Sequence, residues 1–206
     1  GAGKSSLFTA LLRLTEPELG TTMELDGMDL MTIGLHRLRQ GAITIIPQTP
    51  VVFSGSVRFN VDPYGMSEDE AIWKMLEDVS PRLAQAIRTR KGGLDSACGR
   101  NGALFSHGQR QIIVVARALL LKGTAVYLLD EATSSLDDHT DQEVERAIEQ
   151  YGHGATVIKV AHRVSTVLNC DRIAVIDDGS IVEIGTPEML RTSGGIFDRM
   201  CRHSML

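Results

Sequence analysis

Hydrophobic positions along the chain form two kinds of pattern, helical stripes and short unbroken runs, and the two alternate. In KSSLFTALLRL, Leu7, Leu11, Leu12 and Leu14 recur at helical intervals, which predicts an amphipathic helix over 4–14. TTMELDGMDL reads as a strand and turn, and AITIIPQ at 42–48 as a buried strand halted at Pro47. Glycines and prolines make FSGSVRFNVDPYG a loop-rich crossing. From Glu68 onward the spacing is helical in EDEAIWKMLEDV, in PRLAQAIRT with Pro81 at its first turn, and in GQRQIIVVARALLL. AVYLLDE and ATVIKVAH then have the length and β-branched content of buried parallel strands, separated by the helical DHTDQEVERAIEQY. RIAVIDDGSIVEIG predicts a hairpin about Asp178-Gly179, with two short helices after it. Trp73, beside Ile72 and Leu76, and the eight methionines are assigned to core packing.

This alternation predicts an α/β fold with a parallel sheet, in which a helical insert over 56–122 separates core segments 1–55 and 123–206. Composition then excludes several functions. Lysine and arginine number 21 against 26 aspartates and glutamates, a net charge of −5, and no basic block stands out, so nucleic acid is not an expected partner. Cys98, Cys170 and Cys201 are scattered without Cys-x-x-Cys spacing, which argues against a disulfide framework and a zinc site and fits a reducing compartment. IIVVARALLL carries Arg117 in its middle and is far shorter than the roughly 20 residues of a membrane span. No stretch resembles a signal peptide.

Candidate chemistry begins at GAGKSS. Gly-x-Gly-Lys-Ser fits the end of a phosphate-binding loop, G-x-x-x-x-G-K-[ST], whose first glycine would fall three residues before Gly1. The glycines sit where a helix starts, and there unpaired backbone N–H groups and the helix dipole attract an anion. Lys4 would reach the β and γ phosphates of a nucleotide, and Ser5 would offer its hydroxyl to magnesium.

In an open parallel sheet, functional groups gather beyond the carboxyl ends of the strands. VYLLDE places Asp130 and Glu131 at such an end. There Asp130 suits holding Mg2+, directly or through water, and Glu131 suits polarising an attacking water. Alone, such a pair is more often a solvated strand end; together with a phosphate cradle it acquires a purpose. Gln48, after AITIIP, could meet either the metal or the lytic water. His162, after TVIKVA, could donate to a γ-phosphate. FSHGQRQ supplies a second anion seat, with Ser106 and Gly108 opening the long apolar helix.

The ordered set of phosphate loop, Gln48, FSHGQRQ, YLLDEATSSLD and VAHR resembles the nucleotide-binding domain of ATP-binding-cassette (ABC) transporters over essentially the whole chain. SGSVRFNVDPYG followed by EDEAIWKMLEDV is similar to the second such domain of C-type, multidrug-resistance-protein-like exporters, and the intact Glu131 agrees with that half. The resemblance implies a P-loop NTPase (RecA-like) core with a mostly parallel sheet, an inserted helical subdomain, and a first strand lying upstream of Gly1. It implies ATP and Mg2+ as ligands: Gly1, Gly3, Lys4 and Ser6 on the phosphates, Ser5 and Gln48 on magnesium with Asp130, Glu131 as catalytic base, and His162 as the switch histidine. Residues 134–137 resemble the loop that communicates between facing domains. Ser106, Gly108 and Gln109 would act on ATP held by a second nucleotide-binding domain, two domains sandwiching two nucleotides head to tail. The implied setting is the cytoplasmic face of a membrane, joined to the transmembrane domains of an exporter.

Two departures from the family pattern change the expectation. His107 stands where the usual signature has glycine and Phe105 where it has leucine; the imidazole crowds the approach to the partner's phosphate, so the site built with this signature is expected to hydrolyse poorly. The upstream strand and adenine-stacking aromatic of the family have no counterpart in these residues, so the isolated chain is expected to bind nucleotide feebly. Alternatives are a regulatory or gating domain that binds ATP with little hydrolysis, and a soluble ABC-type ATPase. Glu131 and His162 oppose the first; the lack of coiled-coil insertions and basic patches opposes the second.

Overall fold

The computed structural model describes residues 3–18, 20–133, 136–161 and 163–203. Along the chain come α1 (Lys4–Leu11), β1 (Glu24–Leu25), β2 (Met28–Asp29) and the short α2 (Leu35–Arg37), which continues as a π-helical turn (Leu38–Ala42) into β3 (Ile43–Ile46). The helices α3 (Val57–Val61), α4 (Asp69–Val79), α5 (Pro81–Arg88) and α6 (His107–Leu120) follow, then β4 (Val126–Asp130), α7 (Asp138–Tyr151) and β5 (Thr156–Val160). The chain continues through β6 (Ile173–Asp177), β7 (Ser180–Gly185), α8 (Pro187–Thr192) and α9 (Ile196–His203). It packs as two compact units, one of Gly1–Leu35 with Lys159–Leu206 and one of His36–Ile158.

The unit of His36–Ile158 is built on the strand order β3-β4-β5. β3 and β4 run parallel, with Ile43 opposite Val126 and Ile46 opposite Leu129. The row begins with Ala125 N–H donating to Ala42 O (2.9 Å) and Thr156 N–H to Ala125 O (2.8 Å), so all three strands start side by side. β4, between two neighbours, is buried from Val126 to Leu129. β5 corrects the expectation of a second buried strand: Thr156 is exposed and the rest only half-buried, because among the described residues it pairs on one side. The core joins Ile46, Ile72, Leu76, Ile87, Ile113, Leu129, Val144 and Ile148, so helices α4 to α7 bury their apolar stripes together with the sheet.

Helix limits follow local chemistry. Ser80 caps α5 and Pro81 stands at its first position, where no intrahelical N–H is needed. The helix α3 lies inside the stretch expected to be loop; Ser56 Oγ accepts from Phe59 N–H at 3.1 Å and nucleates it. Trp73 is only partly buried, with the Arg88 guanidinium 4.1 Å above its ring, and Met28, Met66, Met189 and Met200 are exposed, so core packing holds for Met75 but not for all methionines.

In the other unit, β1 and β2 form a hairpin about Asp26-Gly27, and β6 and β7 the expected hairpin about Asp178-Gly179. Its small core comprises Val164, Ile173, Leu190, Phe197 and Cys201. The first helix stops at Leu11 rather than Leu14. Leu14 N–H bonds to Thr9 O at 2.8 Å and Arg13 N–H to Ala10 O at 2.9 Å, a Schellman ending with Arg13 left-handed at φ 49°. The Arg13 guanidinium secures that conformation through Ile33 O (2.7 Å) and Leu30 O (3.2 Å).

Candidate functional site

Two strand ends meet in the unit of His36–Ile158. β3 stops at Ile46 because Pro47 has no N–H to continue the ladder. The next residue, Gln48, is exposed and donates through Nε2 to Glu131 Oε2 at 3.1 Å. Parallel register causes the meeting: Ile46 lies opposite Leu129, so residues just past each end are neighbours. Asp130, half-buried, closes β4 beside Glu131. Glu131 turns sharply at φ 48°, a left-handed conformation that a non-glycine residue adopts at a cost of about 1–2 kcal/mol. Strain of this kind is held where the surroundings over-determine it, here between a buried strand and buried Ala132.

The second anion seat is a capped helix start in the same unit. Ser106 Oγ accepts from Gln109 N–H at 3.2 Å, while Gln109 Oε1 accepts from Ser106 N–H at 3.0 Å, a reciprocal capping box at the head of α6. Phe105 anchors this start: it is buried, with the Arg90 guanidinium 4.4 Å above its ring. His107 is the first helical residue and exposed. At Gly108, an added Cβ would meet Leu136 Cδ2 at 3.5 Å, an ordinary contact, so packing within the chain does not demand glycine there.

In the other unit, Gly3 caps α1 with φ 95° and ψ 1°, which explains its identity, since a Cβ is strongly disfavoured there. Leu7 N–H bonds to Gly3 O at 3.2 Å; Lys4 is half-buried, and Ser5 and Ser6 are exposed on the first turn. Their N–H groups lie in the first turn of α1, ahead of any intrahelical acceptor. Gly1 and His162 lie outside the described residues, as do Ser134 and Ser135 of the expected communicating loop. Asp137, at that loop's end, caps α7 through Thr140 N–H at 3.1 Å and the Thr140 hydroxyl at 2.9 Å. These bonds hold its carboxyl below the usual range.

The sequence reading missed the roles of three polar residues near the core, Gln111 and Asn60 fully buried and Arg117 half-buried. Gln111 Nε2 donates to Pro47 O at 3.0 Å. Arg117 donates to Asn60 O (2.6 Å), Val51 O (3.0 Å) and Asn60 Oδ1 (3.1 Å), and burial pulls its guanidinium below the ordinary value. Asn60, fully buried, pairs with Phe53 like a strand neighbour, at 2.7 and 2.9 Å. The signal available was a polar side chain inside an apolar helical run, as at Arg117.

The parallel sheet, the glycine-capped first helix and the carboxylates closing a buried strand define an α/β protein of the P-loop NTPase fold. A solved bacterial Atm1-family ABC exporter with ATP bound matches the whole chain at a TM-score of 0.90 and 28% identity, with 35% of that chain covered. The family model described as ABC transporter matches residues 1–134. The chain belongs to the ABC transporter family. Its relatives include ABC transporter C family member 8 of Dictyostelium discoideum, 42% identical over 205 residues, and human ATP-binding cassette sub-family C member 2, 41% identical over 204. Each match takes in 99% of this chain but 13% of the relative, so the chain spans about an eighth of their length. Among the described residues no helix is long and apolar enough to cross a membrane.

Proposed function

We propose that this chain is the ATP-binding and ATP-hydrolysing domain of an exporter, with Glu131 as general base. The observation that carries the reading is the pairing of Gln48 with Glu131 at the ends of two parallel strands, which holds a carboxylate and an amide together where a water can be oriented. The Gln48 Nε2 bond holds one Glu131 oxygen, and a carboxylate held in this way serves as the proton acceptor. Lys4 and the N–H groups following Gly3 cradle phosphate oxygens, helped by the dipole of α1.

Mg2+ fits the side chains proposed for it. The Ser5 hydroxyl, the Asp130 carboxylate and the Gln48 amide oxygen are hard oxygen donors, and few protein ligands suffice for an ion that keeps waters and phosphate oxygens. When bound, it supplies charge neutralisation at the transferred phosphoryl group. Ser106, Gly108 and Gln109 act on nucleotide bound by a second nucleotide-binding domain; a helical glycine that the chain's own packing does not require supports a close approach from outside. His162 donates to the γ-phosphate of the nucleotide held by this chain's own Lys4 loop, a different nucleotide from the one Ser106, Gly108 and Gln109 act on. Within the domain, 56–122 serves as a helical subdomain and 1–55 with 123–206 as the ATP-binding core. Transmembrane domains of the parent protein complete the machine at the cytoplasmic face of its membrane.

The test is Glu131→Gln in the full-length protein. Turnover falls by about 100-fold or more, within the range of general-base loss, while ATP binding persists. Turnover equal to that of the unaltered protein moves the base elsewhere. Lys4→Ala, assayed for phosphate release, removes binding and hydrolysis together.

A further inference from the structure

Behind the exposed Gln48 lies a side chain with no evident packing purpose. Gln111 is fully buried on α6, two residues beyond the capping box, and its Nε2 holds the Pro47 carbonyl at 3.0 Å. Its own Oε1 is buried without a hydrogen-bond partner among the described residues. An unsatisfied amide oxygen in a core is costly, and a methionine or leucine of similar volume would avoid the cost. The retained amide therefore does something an apolar side chain cannot. Its one bond falls on the peptide joining Pro47 to Gln48; that peptide is planar, so fixing the carbonyl fixes the plane from which the Gln48 side chain departs. The far end of the same loop is fastened by Arg117 at Val51 O and by Asn60 at Phe53. Between these anchors Gln48 and Thr49 are exposed, and Gln111 constrains the residue immediately before Gln48 from the buried side.

We propose that Gln111 is a positioning residue for the Gln48–Glu131 pair: its amide, acting through the Pro47 carbonyl, sets the direction in which Gln48 presents its own amide to Glu131. The helix that carries Ser106 and Gln109 at its head is thereby linked to the water-orienting pair by one hydrogen bond. The inference rests on the reading of Glu131 and Gln48 given above.

The experiment uses the full-length protein, with steady-state ATP turnover and ATP binding measured separately. Gln111→Met keeps the volume and removes the amide. kcat falls about tenfold while KM for ATP stays within about twofold, the signature of an interaction that matters to the chemical step. Made in a Gln48→Ala background, Gln111→Met lowers kcat by less than about twofold, since the partner it acts through is gone. Equal losses in both backgrounds, or a raised KM with kcat unchanged, overturn the proposal. Gln111→Leu is a second apolar variant, and failure of both to fold assigns the residue to packing and overturns it too. Glu131→Gln run in parallel separates the two ideas. Undiminished turnover there removes the base reading, whereas a Gln111 effect that disappears without Gln48 upholds the link between those two residues.

Discussion

Ser106 and Gln109 hold each other: the serine hydroxyl accepts the glutamine's backbone N–H, and the glutamine side chain accepts the serine's. The residues proposed to face a partner's nucleotide are thus already bonded into a helix start, which pre-organises them and makes their loss felt twice. Ser106→Ala is expected to destabilise the domain by about 1 kcal/mol, the usual value of a serine cap, and to lower turnover of the assembled protein. Ser106→Asn, an equally good cap, restores stability. Denaturant unfolding beside turnover separates the parts: activity recovered in full with Asn makes Ser106 a cap alone.

His107, exposed at the first helical position beside that cap, places an imidazole where the usual signature has only hydrogen. His107→Gly should raise turnover at the site facing this signature by at least about twofold, equivalent to roughly 0.4 kcal/mol of barrier. A helix-start glycine costs little, because Gly is tolerated near caps. Turnover that is unchanged or lower in the assembled protein would show that the imidazole does not obstruct the site.

Elements whose pattern repeats were readable from sequence. The stripe in EDEAIWKMLEDV, the proline at Pro81 and the Asp178-Gly179 turn each state their structure locally, and each stands where expected. Misread features depend on something distant. The first helix stops at Leu11 because Arg13 finds carbonyls at Leu30 and Ile33, 17 and 20 residues away. The half-exposure of β5 depends on which strands flank it, which its apolar composition does not record. Gln48 and Glu131 could be nominated singly, but their bond follows from the register of β3 and β4. Gln111 and Asn60 carried no local signal, since burial of an amide is decided by the fold.

Asp137 gives the start of α7 a pH dependence. The Thr140 N–H and then its hydroxyl lower the carboxyl's folded-state pKa. A depressed carboxylate stabilises above its unfolded pKa, and the contribution disappears as pH falls through the lower folded value. Helix content near α7 is therefore expected to fade on the acid side of the ordinary carboxylate range. Asp137→Asn keeps a good cap without the charge, so the acid-side loss should shrink. Circular dichroism during acid titration checks this, and identical titrations for both proteins would remove Asp137 as the cause.

Arg117 ties α6 to the segments around Val51 and Asn60 through three hydrogen bonds and stacks 4.9 Å from the Phe53 ring. Arg117→Ala leaves the partly buried Asn60 carbonyl without its donor and opens a void, for an expected loss of about 3 kcal/mol, at the high end of single substitutions. Arg117→Lys keeps a charge but not the fork, and should recover less than half. Thermal or urea unfolding measures both; a loss below about 0.5 kcal/mol for the alanine variant would mean that water replaces the guanidinium without cost.

Glu131 sits at φ 48°, and this offers a test of whether its conformation is imposed for function. In left-handed backbone an alanine keeps the Cβ clash that a glutamate has, whereas glycine is relieved of it. Glu131→Gly should therefore be more stable than Glu131→Ala by about 1 kcal/mol, although glycine is normally the less stable of the two in ordered structure. Both variants lose the carboxylate and should lose turnover alike. The inversion of the usual Ala–Gly order, read from unfolding midpoints of the two variants, reports the strain directly. If alanine were instead the more stable, the residue would be relaxed there, and the sharp turn after β4 would owe nothing to the position its carboxylate must occupy.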